Sequence, residues 1–244
     1  MTPDWSGRRY WLVGASEGLG RALAQQMSAA GAELILSART AERLESLAAT
    51  LPGPAQVLPM DVTDPSSVQA AVEAAGRIDG LVWLAGVYTP MSAQNFDPEV
   101  AAEMIAVNLG GAMRVLGHVV PLMLAQGAGH LVLTGSLSAY RGLPGAIGYG
   151  ASKAGIASLA ESLQVDLRGT GILVQLANPG FIETRLTAKN DFSMPGLMRP
   201  DEAAGHILRL MQTRRASAAF PGWFAAFFRL GRFLPQSLWL RLVG

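Results

Sequence analysis

Tyr10-Trp11-Leu12-Val13-Gly14-Ala15-Ser16-Glu17-Gly18-Leu19-Gly20 is the stretch that decides the fold. Four apolar residues form a strand-like run and a glycine-rich turn follows at once. Leu19, Ala22, Leu23 and Met27 then recur at helical spacing. A strand that turns directly into a helix aims the first N–H groups of that helix at whatever lies beyond the strand's end. Glycines in the turn let a ligand approach closely, and a pyrophosphate suits such a site. The spacing is G-x-x-x-G-x-G, and a turn that serves only packing can carry the same letters. The strand before it and the helix after it favour the dinucleotide reading.

The same alternation repeats outward from this turn. After Tyr10–Val13, strand-like runs recur at Glu33–Ser37, Gln56–Met60, Gly80–Ala85, His130–Thr134 and Ile172–Ala177, with helical patterns between them. Asp64-Pro65 and Asp97-Pro98 each set a capping carboxylate before a proline at the first helical position. Pro200-Asp201-Glu202 opens another helix with acids where its dipole favours them. Strands alternating with helices predict an α/β fold, a single-domain, doubly wound, Rossmann-type parallel sheet with helices on both faces. The predicted division is a domain over 1–219, including a lid over 181–199, and an amphipathic, hydrophobic and basic C-terminal extension over 220–244.

Composition narrows the chemistry. With half of its 244 residues hydrophobic and 15% charged, the chain is not of the disordered class. It has no cysteine, which removes disulfides, thiolate metal sites and cysteine nucleophiles. A net charge of +1 supplies no field for nucleic acid. His118, His130 and His206 lie far apart without ligand spacing, so no metal is expected. Met1 to Arg9 resembles neither a signal nor a transit peptide, and no uninterrupted apolar run reaches the ~18 residues of a spanning helix. The predicted location is cytoplasmic.

The second strand ends Ser37-Ala38-Arg39, where an NAD site wants an acid for the ribose 2′-hydroxyl. No acid is present. Arg39 is placed to meet a 2′-phosphate with Ser37 as a second donor, although a solvated arginine at a helix start reads the same way. Glu17, in the glycine turn, opposes a phosphate. Asp61, closing the third run, is a candidate adenine contact or the cap of the next turn. Tyr149 and Lys153 sit at i, i+4, so phenol and ammonium share one helix face, and the chain's only other lysine is Lys189. Ser136 falls at the carboxyl end of the fifth strand, the edge where open α/β sheets bind ligands.

These residues, in this order, resemble the short-chain dehydrogenase/reductase family. Gly14, Gly18, Gly20, Asp61-Val62, Ala85-Gly86, Asn108, Ser136, Tyr149 with Lys153, Asn178-Pro179-Gly180 and Thr184 carry the resemblance over some three-quarters of the chain. It implies an NAD(P)-dependent oxidoreductase that uses NADP(H) in preference to NAD(H), given Arg39. Tyr149 would protonate a carbonyl oxygen, Lys153 would hold the nicotinamide ribose and, together with the oxidised nicotinamide, lower the pKa of Tyr149, and Ser136 would bind the substrate oxygen. Asn108 would interrupt helical bonding and hold a water leading from Lys153 to solvent. The cofactor would lie along Gly14, Ser16, Gly18, Leu19, Gly20, Ser37, Arg39, Asp61, Val62, Ala85, Gly86, Tyr149, Lys153, Pro179, Gly180, Ile182 and Thr184. Where many relatives read Asn-Asn-Ala-Gly, this chain has Trp83-Leu84-Ala85-Gly86, a loss expected to be repacked.

Leu186, Phe192, Met194, Pro195, Leu197 and Met198 give the lid an apolar lining, which points to a hydrophobic ketone or secondary alcohol; a merely mobile surface loop has the same letters. The extension carries aromatics at 220, 223/224 and 227/228, arginine as its only charged residue type, and Pro235 dividing it into two short helices. Such a stripe is either packed on the protein or a candidate peripheral membrane contact. By analogy with the family, helices near 100–125 and 149–167 would make a homodimer or homotetramer. Two other readings stand beside the reductase: a dinucleotide-sensing or scaffold protein without turnover, and an extended-type epimerase or dehydratase using the same Tyr/Lys pair.

Overall fold

A computed structural model of the chain describes residues 5–243; Met1 to Asp4, part of the stretch read as carrying no leader, and Gly244 lie outside the described residues. Strands β1 (Arg9–Val13), β2 (Glu33–Ser37), β3 (Ala55–Val57), β4 (Gly80–Trp83), β5 (Gly129–Thr134), β6 (Ile172–Pro179) and β7 (Ser217–Phe220) form one sheet in the order β3-β2-β1-β4-β5-β6-β7. Every pairing is parallel. The helices are α1 (Gly18–Ala29), α2 (Ala41–Ala48), α3 (Pro65–Ala75), α4 (Pro98–Ile105), α5 (Gly111–Gln126), α6 (Ile147–Asp166), α7 (Pro200–Met211), α8 (Gly222–Gly231) and α9 (Gln236–Val243).

The period-2 alternation of each strand sorts its side chains between two cores. Trp11, Val13, Ile35, Leu81, Trp83, Leu131 and Leu133 meet α3, α5 and α6 on one face. Leu12, Leu34, Leu36, Val82 and Val132 meet α1, α2 and α7 on the other. Both faces are covered, as a parallel sheet requires. Trp83 is buried in the first of these cores.

The predicted caps are present. Asp64 accepts from the Ser66 N–H, and Asp97 from the N–H groups of Glu99 and Val100. A strand absent from the sequence reading is β7, whose Ser217-Ala218-Ala219-Phe220 holds only a three-residue apolar run; pairing with the β6 edge and burial of Phe220 make it a strand. The extension set apart at residue 220 therefore begins inside the sheet. Pro98–Gln126 is a continuous helical run, α4 and α5 joined by a π-turn at Ala106–Gly110, and by length and composition it could cross a membrane. The uninterrupted-run criterion missed it. Val115, Leu116, Val119 and Met123 pack one face of it against the sheet.

At β1 the strand order reverses: β2 and β3 build outward on one side, β4 to β7 on the other. The crevice at the carboxyl ends of β1 and β4 is the topological switch point where ligands bind in such sheets.

Candidate active site

The glycine turn is shaped by close approach. Gly14 (φ +98°) sits where a Cβ would lie 2.5 Å from the Ala85 nitrogen, so the ends of β1 and β4 touch only because no side chain separates them. A Cβ on Gly20 would stand 2.0 Å from the Gly14 oxygen, which lets α1 start directly on the turn. The N-cap, Glu17, makes no side-chain cap bond, so the first-turn N–H groups of α1 are left for another acceptor. Ser16, Gly18, Leu19 and Gly20 border a cavity of about 1310 Å³.

Arg39, Asp61, Val62, Ala85, Gly86, Pro179, Gly180, Ile182 and Thr184 border the same cavity. Asp61 fills the capping role: its Oδ1 accepts from the N–H and hydroxyl of Thr63, which hold its carboxyl below the usual range. Ser37 does not reach the cavity. Its side chain is buried, its Oγ accepts from the Trp11 indole N–H at 2.8 Å, and its carbonyl accepts from Gly14 and Ala15. The last residue of a strand points to one face only, and here that face is the core. Arg43, unmarked in the sequence reading, borders the cavity near Arg39. Glu17 pairs with Arg43 at 3.0 Å and with Arg185 of the lid. The acid that opposed a phosphate is thus matched by two guanidinium groups.

Tyr149 and Lys153 rise from one face of α6, and Lys153 Nζ lies 5.7 Å from the centre of the Tyr149 ring. Lys153 is buried and donates to the Thr134 carbonyl at 2.9 Å; burial drops its pKa to about 8. Burial pushes the Tyr149 phenol up to about 12, against a hydrogen bond with Ser136 that pulls it down; the charge of Tyr88 adds to the rise. Burial is thus the largest influence on both groups. The Ser136 Oγ accepts from both the N–H and the hydroxyl of Ser138, which orients its own proton toward the Tyr149 side of the cavity.

Asn108 lies on the π-turn, so the expected break in helical bonding is there. Its buried side chain closes a ring of bonds: Oδ1 accepts from Val87 N–H, and Nδ2 donates to the Val87 carbonyl and to Ser152 Oγ. It does not border the cavity. It fixes the segment after β4 to α6 one residue before Lys153. Tyr88 was also missed; its ring meets Tyr149 edge-on at 5.0 Å and its hydroxyl donates to Asn190 of the lid.

The far end of the cavity is apolar. Leu186, Phe192 and Pro195 of the lid reach it, whereas Met198 is buried in the α7 core and Leu197 faces outward. The rest of that end comes from the tail: Trp223, Phe224, Phe227 and Phe228 of α8 and Leu242 and Val243 of α9. The tail is anchored by Arg141, which donates to the carbonyls of Gly231 and Leu234, to Gln236, and stacks 5.2 Å over Trp239. Trp239 in turn donates to the Gly142 carbonyl.

The short chain dehydrogenase family model matches residues 10–193. An uncharacterized oxidoreductase of Myxococcus xanthus is 35% identical over 242 residues, covering 96% of each chain. The 3-oxoacyl-(acyl-carrier-protein) reductase of Escherichia coli is 30% identical over 200 residues, 80% of this chain and 82% of that one. A short-chain dehydrogenase from Sphingobium yanoikuyae in complex with NADPH superposes with TM-score 0.81 at 27% identity, covering 94% of this chain and 97% of the other. The chain belongs to the short-chain dehydrogenase/reductase family and is an oxidoreductase of that family, whose cofactor is a nicotinamide dinucleotide.

Proposed function

We propose that this oxidoreductase transfers hydride reversibly between NADP(H) and a hydrophobic ketone or secondary alcohol. One observation carries the reading: a single cavity joins the glycine turn and Arg39 at one end to Ser136, Tyr149 and Lys153, and continues under an apolar roof. The residues fit a dinucleotide, since close-packed glycines and uncapped helical N–H groups suit a pyrophosphate. Arg39 and Arg43 beside them favour a 2′-phosphate. The Thr134 hydroxyl, buried and without a hydrogen-bond partner among the described residues, borders the same space.

The dinucleotide supplies the hydride. The chain's residues supply the proton and hold the reacting oxygen. Burial keeps the proton on the Tyr149 phenol at neutral pH, which is the form that donation to a carbonyl oxygen requires. Ser136, polarised by two bonds from Ser138, donates to the same oxygen and stabilises the charge that develops there. Lys153, held by Thr134, places its positive charge behind the phenolate that donation leaves. Asn108 positions α6 by tying Ser152 to Val87. An apolar roof accepts the alkyl part of a substrate and keeps water from the reacting atoms.

On this reading the protein is cytoplasmic and self-associates through α5 and α6, where Met113, Leu122, Leu124 and Val165 are exposed. A gel-filtration volume matching one 25.7 kDa chain would contradict the self-association. For the reaction, NADPH oxidation is followed across a panel of apolar ketones and aldehydes. Wild type oxidises NADPH on some members; Tyr149→Phe loses about 10²- to 10⁴-fold in turnover while still binding NADPH. Tight NADPH binding with no oxidation on any member overturns the reading and favours a sensor.

A further inference from the structure

We propose that the outward face of α8 and the turn after it dock on an anionic lipid bilayer, and that the substrate is a long-chain amphiphile entering the cavity from that bilayer. The proposal rests on the hydrophobic-carbonyl reading above.

α8 is apolar on both sides. Ala225, Phe228 and Gly231 are buried on the inner side, the last two against Trp239. Trp223, Phe227 and Leu230, spaced i, i+4, i+7, form a second stripe facing out, exposed by 63%, 42% and 69%, and Phe233 just beyond is exposed by 87%. A helix hydrophobic all round is ordinarily enclosed by protein; one with a solvent-facing apolar stripe marks an interaction surface.

Charge selects the partner. From Phe220 to the carboxyl end the only charged side chains are Arg229, Arg232 and Arg241, and among the described residues none of them pairs with an acid. A two-fold contact between two copies of this surface would set arginines against arginines with no acid in the tail to offset them. A bilayer containing anionic lipid offers an apolar layer for Trp223 and Phe233 and counter-charges for the arginines.

The stripe is continuous with the cavity. Trp223 and Phe227 of α8, Leu242 of α9 and Phe192 of the lid all border the cavity and are all exposed. Trp223 packs directly on the lid, where a Cβ on Gly196 would lie 3.0 Å from the indole. Apolar surface therefore runs from outside to inside along these side chains, which suits an alkyl chain leaving lipid with its carbonyl leading toward Ser136 and Tyr149.

The test uses full-length protein in co-sedimentation with vesicles of phosphatidylcholine alone or mixed with phosphatidylglycerol. The expected result is pelleting with the mixed vesicles, falling as salt rises, and little with phosphatidylcholine alone. Two double variants change side chains outside the cavity lining: Leu230→Ser with Phe233→Ser, and Arg229→Gln with Arg241→Gln. Both keep wild-type NADPH affinity and reduce a short, water-soluble ketone normally. Both lose vesicle binding, the arginine pair by about fivefold per arginine removed, and both lose turnover on a long-chain ketone embedded in the mixed vesicles. No pelleting by wild type, equal pelleting with both lipids, or variants that pellet and turn over as wild type would overturn the proposal. So would a smaller gel-filtration size in the variants, which would make this face a contact between copies. Vesicle binding without NADPH oxidation on any ketone would instead sink the reaction assigned above.

Discussion

Lys153 Nζ lies over the Tyr149 ring, 5.7 Å from its centre, and is held there by the Thr134 carbonyl. Burial moves the two groups in opposite directions, the lysine down to about 8 and the tyrosine up to about 12. Both shifts disfavour charge, and both follow from desolvation.

A pH dependence follows with a definite sign. Reduction needs a protonated Tyr149 and a charged Lys153, so turnover falls as pH rises through about 8 because Lys153 loses its proton. Lys153→Arg, which stays charged, moves that limb upward even where total activity drops. A profile of kcat against pH that is identical for the two proteins would remove Lys153 from the limb.

The same lysine affects stability. Its folded pKa is below the ordinary 10.5, so between about 8 and 10.5 the unfolded chain holds more protons and stability rises with pH. Above about 10 the raised pKa of Tyr149 acts the other way, since unfolded tyrosine ionises first. Urea denaturation of the chain alone should show the rise, and Lys153→Met should lack it.

Arg39 borders the cavity and forms no ion pair among the described residues. Arg39→Ala should weaken NADPH about 10- to 100-fold, the worth of a hydrogen bond to a charged group, and leave NADH nearly unchanged. Fluorescence titration with both dinucleotides measures this directly. Equal losses for the two would mean that Arg39 does not read the 2′ position.

Gly20→Ala should abolish dinucleotide binding while the sheet still forms, because the new methyl would meet the Gly14 oxygen at 2.0 Å and push the turn out of shape. Circular dichroism and NADPH titration on the same sample separate the two effects. Wild-type affinity would show that the turn does not hold the cofactor.

Trp239 is buried and joins three devices: the Arg141 stack, the bond to Gly142 and the contact with Phe228. Trp239→Ala should loosen the tail by about 3–5 kcal/mol. Amide hydrogen exchange should then quicken across α8 and α9 while α1 and α6 keep wild-type protection. Uniformly faster exchange would mean the tail is part of one cooperative unit.

The letters alone carried several features that depend on near neighbours. Strand, turn and helix around Gly14 to Gly20, the shared face of Tyr149 and Lys153, and the caps at Asp64 and Asp97 are set by spacing within a few residues, where backbone geometry leaves few choices. Only the tertiary structure decided features that depend on distant contacts. Ser37 points at Trp11 rather than a phosphate because β2 lies beside β1 in one register. Asn108 clamps Val87 and Ser152 because a π-turn meets both β4's end and α6. Glu17 is matched by Arg185, 168 residues away, and the tail roofs the cavity because Arg141 holds carbonyls some 90 residues on. A pattern of letters fixes what a residue can do locally; which partner it finds across the sheet is fixed by packing, which closes loops of any length once both cores are filled.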